Sequence, residues 1–202
     1  MKRKSGRSGL GSSVQSALQT LLEENKDCAA RLDEQALARL LKELRTAKRV
    51  FVLGQGRSGL VMRMFAMRLM HAGVEAFVVG ETSTPPIGRK DLLFACSGTG
   101  ETAVTCILAD RAAKRGAKVV CMTAAAKSRL SRIAKATLIV PATPKRGNKR
   151  AKGARSDKES VQFAGSLFEQ EAVLVCDALC MRLSQAKRLN SAAMWARHAN
   201  LE

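Results

Sequence analysis

The chain has 202 residues, 46% of them hydrophobic and only 3% aromatic, with a formal net charge of +18. Length and composition fit one α/β domain with a core of Val, Leu, Ile, Ala and Met and exclude a disordered chain; the scarcity of aromatics argues against base-stacking recognition of single-stranded nucleic acid. Half of the positive excess lies in residues 1–10 (+4) and 144–160 (+5) with no helix-turn-helix or RNA-binding signature beside it, so the charge reads as solubility and attraction of anionic substrates rather than nucleic-acid binding.

Residues 1–12 read as a flexible basic tail, followed by one domain over 13–202. Stretches 14–25 and 33–47 read as amphipathic helices; Asp33 suits an N-cap, and apolar positions 37, 40, 41 and 44 share a face. A strand at 49–53 leads into Gly54-Gln55-Gly56-Arg57-Ser58-Gly59. The helix expected at 58–71 is apolar nearly all round, which calls for burial on more than one side. Gly73 suits its end. A strand at 76–79 precedes the polar loop Gly80-Glu81-Thr82-Ser83-Thr84-Pro85-Pro86. A third strand at 91–96 leads into Ser97-Gly98-Thr99-Gly100-Glu101-Thr102 and a helix at 101–115 closed by Gly116. A strand at 117–122, a short helix at 128–135 and a fifth strand at 136–140 follow. Residues 142–160 form a long basic loop, 165–186 a long helix, and 190–202 a tail with room for a short helix. Strands alternating with helices predict a three-layer α/β/α sandwich around a five-stranded parallel sheet, of flavodoxin-like or Rossmann-like topology.

None of the six cysteines forms a C-x-x-C pair and most lie in apolar runs, so they read as small buried hydrophobes in a reducing compartment. Cys176 and Cys180 share a helix face without further ligands nearby, so no metal site is expected. No signal peptide and no apolar run of about 20 residues is present, which predicts a soluble cytoplasmic protein with no membrane segment. The acid-free, Arg-containing start is also compatible with an organelle-targeting tail.

The two glycine turns each link a strand to a helix, and in a parallel sheet such turns converge at the carboxyl ends of the strands. A helix N-terminus offers free N–H groups, glycine allows close backbone approach, and Ser or Thr adds hydroxyl donors. The implied ligand is a small phosphorylated molecule. Gly54-x-Gly56-x-x-Gly59 with Glu81 also matches a dinucleotide fingerprint. Against that reading stand the hydroxyl-rich second turn, the lack of a separate substrate domain, and Arg57-Ser58, which suits a compact phosphate.

Several of these stretches together resemble the sugar isomerase (SIS) domain family, most closely its 6-phospho-3-hexuloisomerases. They are the turns at 54–59 and 97–102, Phe65-Ala66-Met67-Arg68-Leu69-Met70-His71, Gly80-Glu81-Thr82-Ser83-Thr84-Pro85, Gly165-Ser166-Leu167-Phe168-Glu169, and the ending Arg197-His198-Ala199-Asn200-Leu201-Glu202. The basic tail and basic loop depart from the family pattern. The resemblance implies interconversion of D-arabino-3-hexulose 6-phosphate and fructose 6-phosphate through an enediolate, in the ribulose monophosphate route for formaldehyde. That chemistry requires a phosphate anchor, a positioned base and donors to the enediolate oxygens, and no metal or redox cofactor. Other SIS isomerases and a non-catalytic sugar-phosphate regulator are the alternative readings.

Ser97, Thr99 and Thr102 are the expected phosphate ligands, with helix capping as the alternative. Gly56, Arg57 and Ser58 join them from the first turn, Arg57 toward substrate oxygens or a neighbouring subunit. Glu169 is the expected base, although Ser166-x-x-Glu169 also fits a capping box. Glu171, about 200° further round the helix, should point away. His198 is the second catalytic candidate, expected to act across subunits of a homo-oligomer, a tetramer built from dimers; His71 reads as structural. Glu81, Thr82 and Thr84 are candidates for the sugar side of the site, or an ordinary polar loop.

Overall fold

The computed structural model describes residues 13–142 and 160–201. The tail at 1–12 and most of the basic loop lie outside the described residues. Two helices open the chain. Ser13 caps α1 (Val14–Ala29) by accepting from Ser16 N–H, and Asp33 caps α2 (Glu34–Thr46) by accepting from the N–H groups of Gln35 and Ala36. Helix α1 runs beyond the expected end because Cys28, fully buried, extends its inward stripe by one more turn. Helix α2 buries Ala36, Leu40 and Leu44, spaced four apart.

Five strands follow, β1 (Val50–Gly54), β2 (Ala76–Val78), β3 (Leu92–Cys96), β4 (Lys118–Thr123) and β5 (Ala136–Ile139), all parallel and in the order β2-β1-β3-β4-β5. Between them run α3 (Arg57–His71), α4 (Ala103–Lys114) and α5 (Arg129–Ile133); α6 (Ser166–Ala186) and α7 (Ser191–Trp195) close the chain. The predicted architecture is the one observed. Val50–Gly54 and Leu92–Cys96 are uninterrupted apolar runs because both faces of the central strands are covered. One face packs Val50, Val52, Leu92 and Phe94 against α2, α3 and α6; the other packs Phe51, Leu53, Leu93 and Ala95 against α4 and α5.

The strand order reverses between β1 and β3, since the chain leaves β1 outward to β2 and returns on its other side. Ligands bind in the crevice at such a switch point, outside the carboxyl ends of the strands. The register pairs Gly54 with Cys96, so both glycine turns leave the sheet at the same level.

Helix α3 packs against both the sheet and α6, as its apolar sequence demands, yet keeps an open stripe. It buries Val61, Met62, Phe65, Ala66 and Leu69 against the sheet, but Leu60 is 61% exposed, Met64 51% and Met67 49%. Among the described residues nothing covers this stripe. Leu174 and Met181 on the adjoining α6 are likewise exposed.

Candidate active site

The crevice at the switch point is a cleft of about 150 Å³ lined by Ser58 of α3, the turn residues Gln55, Ser97, Gly98, Thr99 and Thr102, and Phe168 and Glu169 of α6. Two of the glycines that shape it are sterically required. A Cβ on Gly54 would lie 2.7 Å from the Ser58 carbonyl oxygen, so only glycine lets α3 start this close to β1. Gly100 has φ of 62°, and its Cβ would fall 2.2 Å from Ser128 Oγ.

In the second turn the Oγ atoms of Ser97 and Thr102 are 3.0 Å apart, and Ser97 Oγ accepts from Gly100 N–H at 3.2 Å. Thr99 Oγ1 accepts from Glu101 N–H at 3.2 Å. Thr102 occupies the N-cap of α4 but makes no side-chain cap. The capping alternative therefore does not describe Thr102, and its hydroxyl faces Ser97 beside the first N–H groups of the 12-residue α4. Glu101 turns outward to accept from Arg129 N–H at 2.7 Å.

Glu169 enters the cleft from the opposite wall. It is 5% exposed, and its Oε2 accepts from Arg57 Nε in an ion pair that joins the first turn to α6. The capping box suggested by Ser166-x-x-Glu169 does not form. Gly165, with φ of 86°, is the N-cap; Ser166 is already helical and its hydroxyl donates to the Phe163 carbonyl at 2.7 Å. The carboxylate is thus left to the cleft and to Arg57. At the floor, burial pushes the Cys96 thiol up to about 12, only partly opposed by a hydrogen bond with Ser58, so it stays protonated.

Other expected site residues stand elsewhere. Glu81 pairs with Arg63, and Thr84 Oγ1 donates to the Val78 carbonyl at 2.6 Å. With Thr82 exposed, this loop satisfies itself and contributes nothing to the cleft in this conformation. Thr84 instead borders a separate apolar cavity between the 84–87 segment and α4. Gly56, at φ of 57° the N-cap of α3, lines a neighbouring polar depression. His198 stacks on His71, with ring centroids 5.1 Å apart and planes 9° from parallel. His71 ends α3, whose first residue is Arg57. Fifteen residues of helix put the stack roughly 21 Å from the cleft of the same chain. Gln55, Gly98 and Phe168 line the cleft without having been anticipated. Gln55, inside the glycine turn, had the clearest sequence signal.

Glu171 points away from the cleft as expected, but not to solvent. It is 1% exposed, its Oε2 has no hydrogen-bond partner among the described residues, and burial pushes its carboxyl up to about 7.

The match to the SIS domain family spans residues 43–154. The chain is 39% identical to the 3-hexulose-6-phosphate isomerase of Mycobacterium gastri over 96% of its own length and 94% of that protein's. It is 35% identical to the Bacillus subtilis protein of the same name, covering 90% and 95%. A solved structure from Methanococcus jannaschii, from which a 3-hexulose-6-phosphate isomerase function was inferred, superposes with a TM-score of 0.74 at 26% identity, covering 94% of this chain and 98% of that one. Both glycine turns lie within the matched family region, and the full-length matches take in α6 with Glu169. The chain belongs to the SIS-domain family, in the group of the 3-hexulose-6-phosphate isomerases.

Proposed function

We propose that this chain interconverts D-arabino-3-hexulose 6-phosphate and fructose 6-phosphate, as a soluble cytoplasmic enzyme of the formaldehyde-fixing ribulose monophosphate route. One observation carries the site assignment: a buried carboxylate with its own cation faces a ring of hydroxyls at a helix N-terminus, across one small cleft. The hydroxyls of Ser97, Thr99 and Thr102, with Ser58 opposite and the first N–H groups of α4, hold the phosphate. Held there, the sugar presents its C2 and C3 to Glu169.

Glu169 takes the C2 proton of the 3-ketose, the C3 carbonyl oxygen becomes that of an enediolate, the proton on the Glu169 carboxyl exchanges with solvent, and the carboxyl delivers a proton to C3 while the carbonyl re-forms at C2. A second group moves the hydroxyl proton between the two oxygens. Arg57 exchanges its ion pair with Glu169 for the developing oxyanion, which frees the carboxylate as charge appears beside the guanidinium.

His198 is the second proton carrier, supplied by a neighbouring subunit of a homotetramer. Its distance from the cleft of its own chain and the exposed stripes Leu60, Met64 and Met67 on α3 with Leu174 and Met181 on α6 support that reading. The chain is incubated with fructose 6-phosphate in heavy water. Deuterium at C3 of the recovered substrate and at C2 of a 3-ketose product is expected; binding without exchange would instead indicate a sugar-phosphate sensor.

A further inference from the structure

Glu24 of α1 lies outside the cleft and yet holds the chain entering α6 by three hydrogen bonds. Its carboxylate accepts from Ser160 Oγ at 2.8 Å, from Val161 N–H at 2.9 Å and from Gln162 Nε2 at 2.9 Å. Burial alone would raise its carboxyl; the three hydrogen bonds outweigh that and hold it below the ordinary range. The next residue, Asn25, donates to Gln170 Oε1 at 2.6 Å, and Gln170 adjoins Glu169. Consecutive residues of α1 therefore grip the chain on both sides of the cleft wall.

Between the two grips lies the single turn Phe163–Gly165. Ala164 has φ of 51° and Gly165 φ of 86°. An alanine in the left-handed region is strained and persists only where flanking contacts over-determine it. The N-cap of α6, Gly165, makes no side-chain hydrogen bond, and the local support at this turn is the Ser166 hydroxyl on the Phe163 carbonyl. Gly165 and Phe168 form the wall of the cleft, and Glu169 sits one turn into the helix.

We propose that Glu24 is a positioning residue of the isomerase: by clamping residues 160–162 it fixes the Ala164–Gly165 turn and so aims Glu169 at the substrate carbons. The inference rests on Glu169 being the base. The phosphate hydroxyls belong to the β3–α4 turn and, as Ser58, to the start of α3; none of Glu24's hydrogen bonds reaches either, so aim and anchorage are separable.

The experiment compares Glu24→Ala, Glu24→Gln and Glu169→Gln in the full chain, with fructose 6-phosphate as substrate and thermal unfolding as the check on folding. Glu24→Ala lowers kcat about tenfold or more, as expected when a reacting group is displaced by a fraction of an ångström. Its KM stays within about threefold, since ground-state binding is untouched. Glu24→Gln, which keeps one acceptor oxygen, recovers part of kcat. A folded Glu24→Ala with wild-type kcat overturns the proposal, as does a parallel loss of kcat and substrate affinity, which would make Glu24 a general prop. If Glu24→Ala does not fold, Glu24→Met, which keeps the bulk and removes both acceptors, decides: reduced kcat at unchanged KM supports the clamp, and wild-type kcat overturns it. Glu169→Gln separates the premises. Should it stay active, the base assignment fails; should it be inactive while Glu24→Ala is not, only the clamp fails.

Discussion

The two sides of α6 carry the same side chain to opposite ends. Glu169 and Glu171 are both almost fully buried, two residues apart. One faces the cleft and meets Arg57; the other faces the inner side of the helix with an oxygen that meets no donor. Burial of a carboxylate is expensive unless a cation or hydrogen bonds compensate it. The cleft side supplies that compensation from a turn 112 residues away in sequence, as the Arg57 guanidinium. Among the described residues the inner side offers Glu171 Oε2 no donor, and the carboxyl there is pushed toward its neutral form. A buried carboxylate marks an active site only together with its partner.

The comparison breaks most sharply at the cleft. Glu169→Gln keeps the shape and removes the basicity, so turnover should fall by at least about a hundredfold with fructose 6-phosphate binding largely retained; steady-state kinetics beside calorimetry reads both. Ser97→Ala and Thr99→Ala should act on the other parameter. Each lost donor to a charged oxygen costs on the order of 1.5–3 kcal/mol, which raises KM roughly ten- to a hundredfold. Unchanged calorimetric affinity for fructose 6-phosphate would remove these hydroxyls from the phosphate site.

On the inner side the effect is on stability. The Glu171 carboxyl is raised from 4.5 to about 7 in the folded chain. Below pH 4.5 both folded and unfolded states are protonated and nothing is lost. Between 4.5 and about 7 the unfolded chain ionises first, so the folded state is progressively disfavoured, and the loss is complete above 7. Glu171→Met should therefore stabilise by on the order of 1–3 kcal/mol at pH 8, with much of that gain gone at pH 4.5. Urea unfolding at the two values tests it, and a pH-independent difference would contradict the buried-acid account.

The smallest effect belongs to the far end of α3. Burial, with Arg68 and His198 nearby, lowers the His71 pKa below 6.5. The folded chain then resists a proton that the unfolded chain accepts, so stability drops as pH falls below that value. His71→Leu should flatten the profile between pH 7 and 5 by less than about 1 kcal/mol. The same end carries the subunit question. Mixing inactive Glu169→Gln and His198→Ala chains should restore some activity after subunit exchange, because a hybrid site receives both intact groups; no recovery despite proven exchange would confine His198 to its own chain.

Much of this architecture was legible in sequence. Val50-Phe51-Val52-Leu53 and Leu92-Leu93-Phe94-Ala95-Cys96 are short apolar runs ended by glycine turns, and that pattern specifies a buried parallel strand with a helix behind it. The hydroxyls of the second turn were equally plain, since they are local. What depended on distant pairing was not. The Arg57–Glu169 and Glu24–Ser160 contacts span 112 and 136 positions. Ser166-x-x-Glu169 matched a capping box that the backbone declined, because the left-handed Gly165 took the cap position and moved Ser166 into the helix. Glu171 followed the geometry expected of it, but only the packing of α1 on α6 determined that its outward path ends in protein. The exposed stripe of α3 was hidden by the same logic in reverse: an apolar sequence announces that a face will be covered, not by which chain.

The central claim is that the carboxylate facing Arg57, and not its neighbour two residues on, moves the substrate proton. The most direct measurement is deuterium wash-in to fructose 6-phosphate in heavy water by folded Glu169→Gln and Glu171→Met, side by side with the wild-type chain. The account predicts no exchange by Glu169→Gln while it still binds the sugar phosphate, and wild-type exchange by Glu171→Met. Exchange by Glu169→Gln at close to the wild-type rate would contradict it.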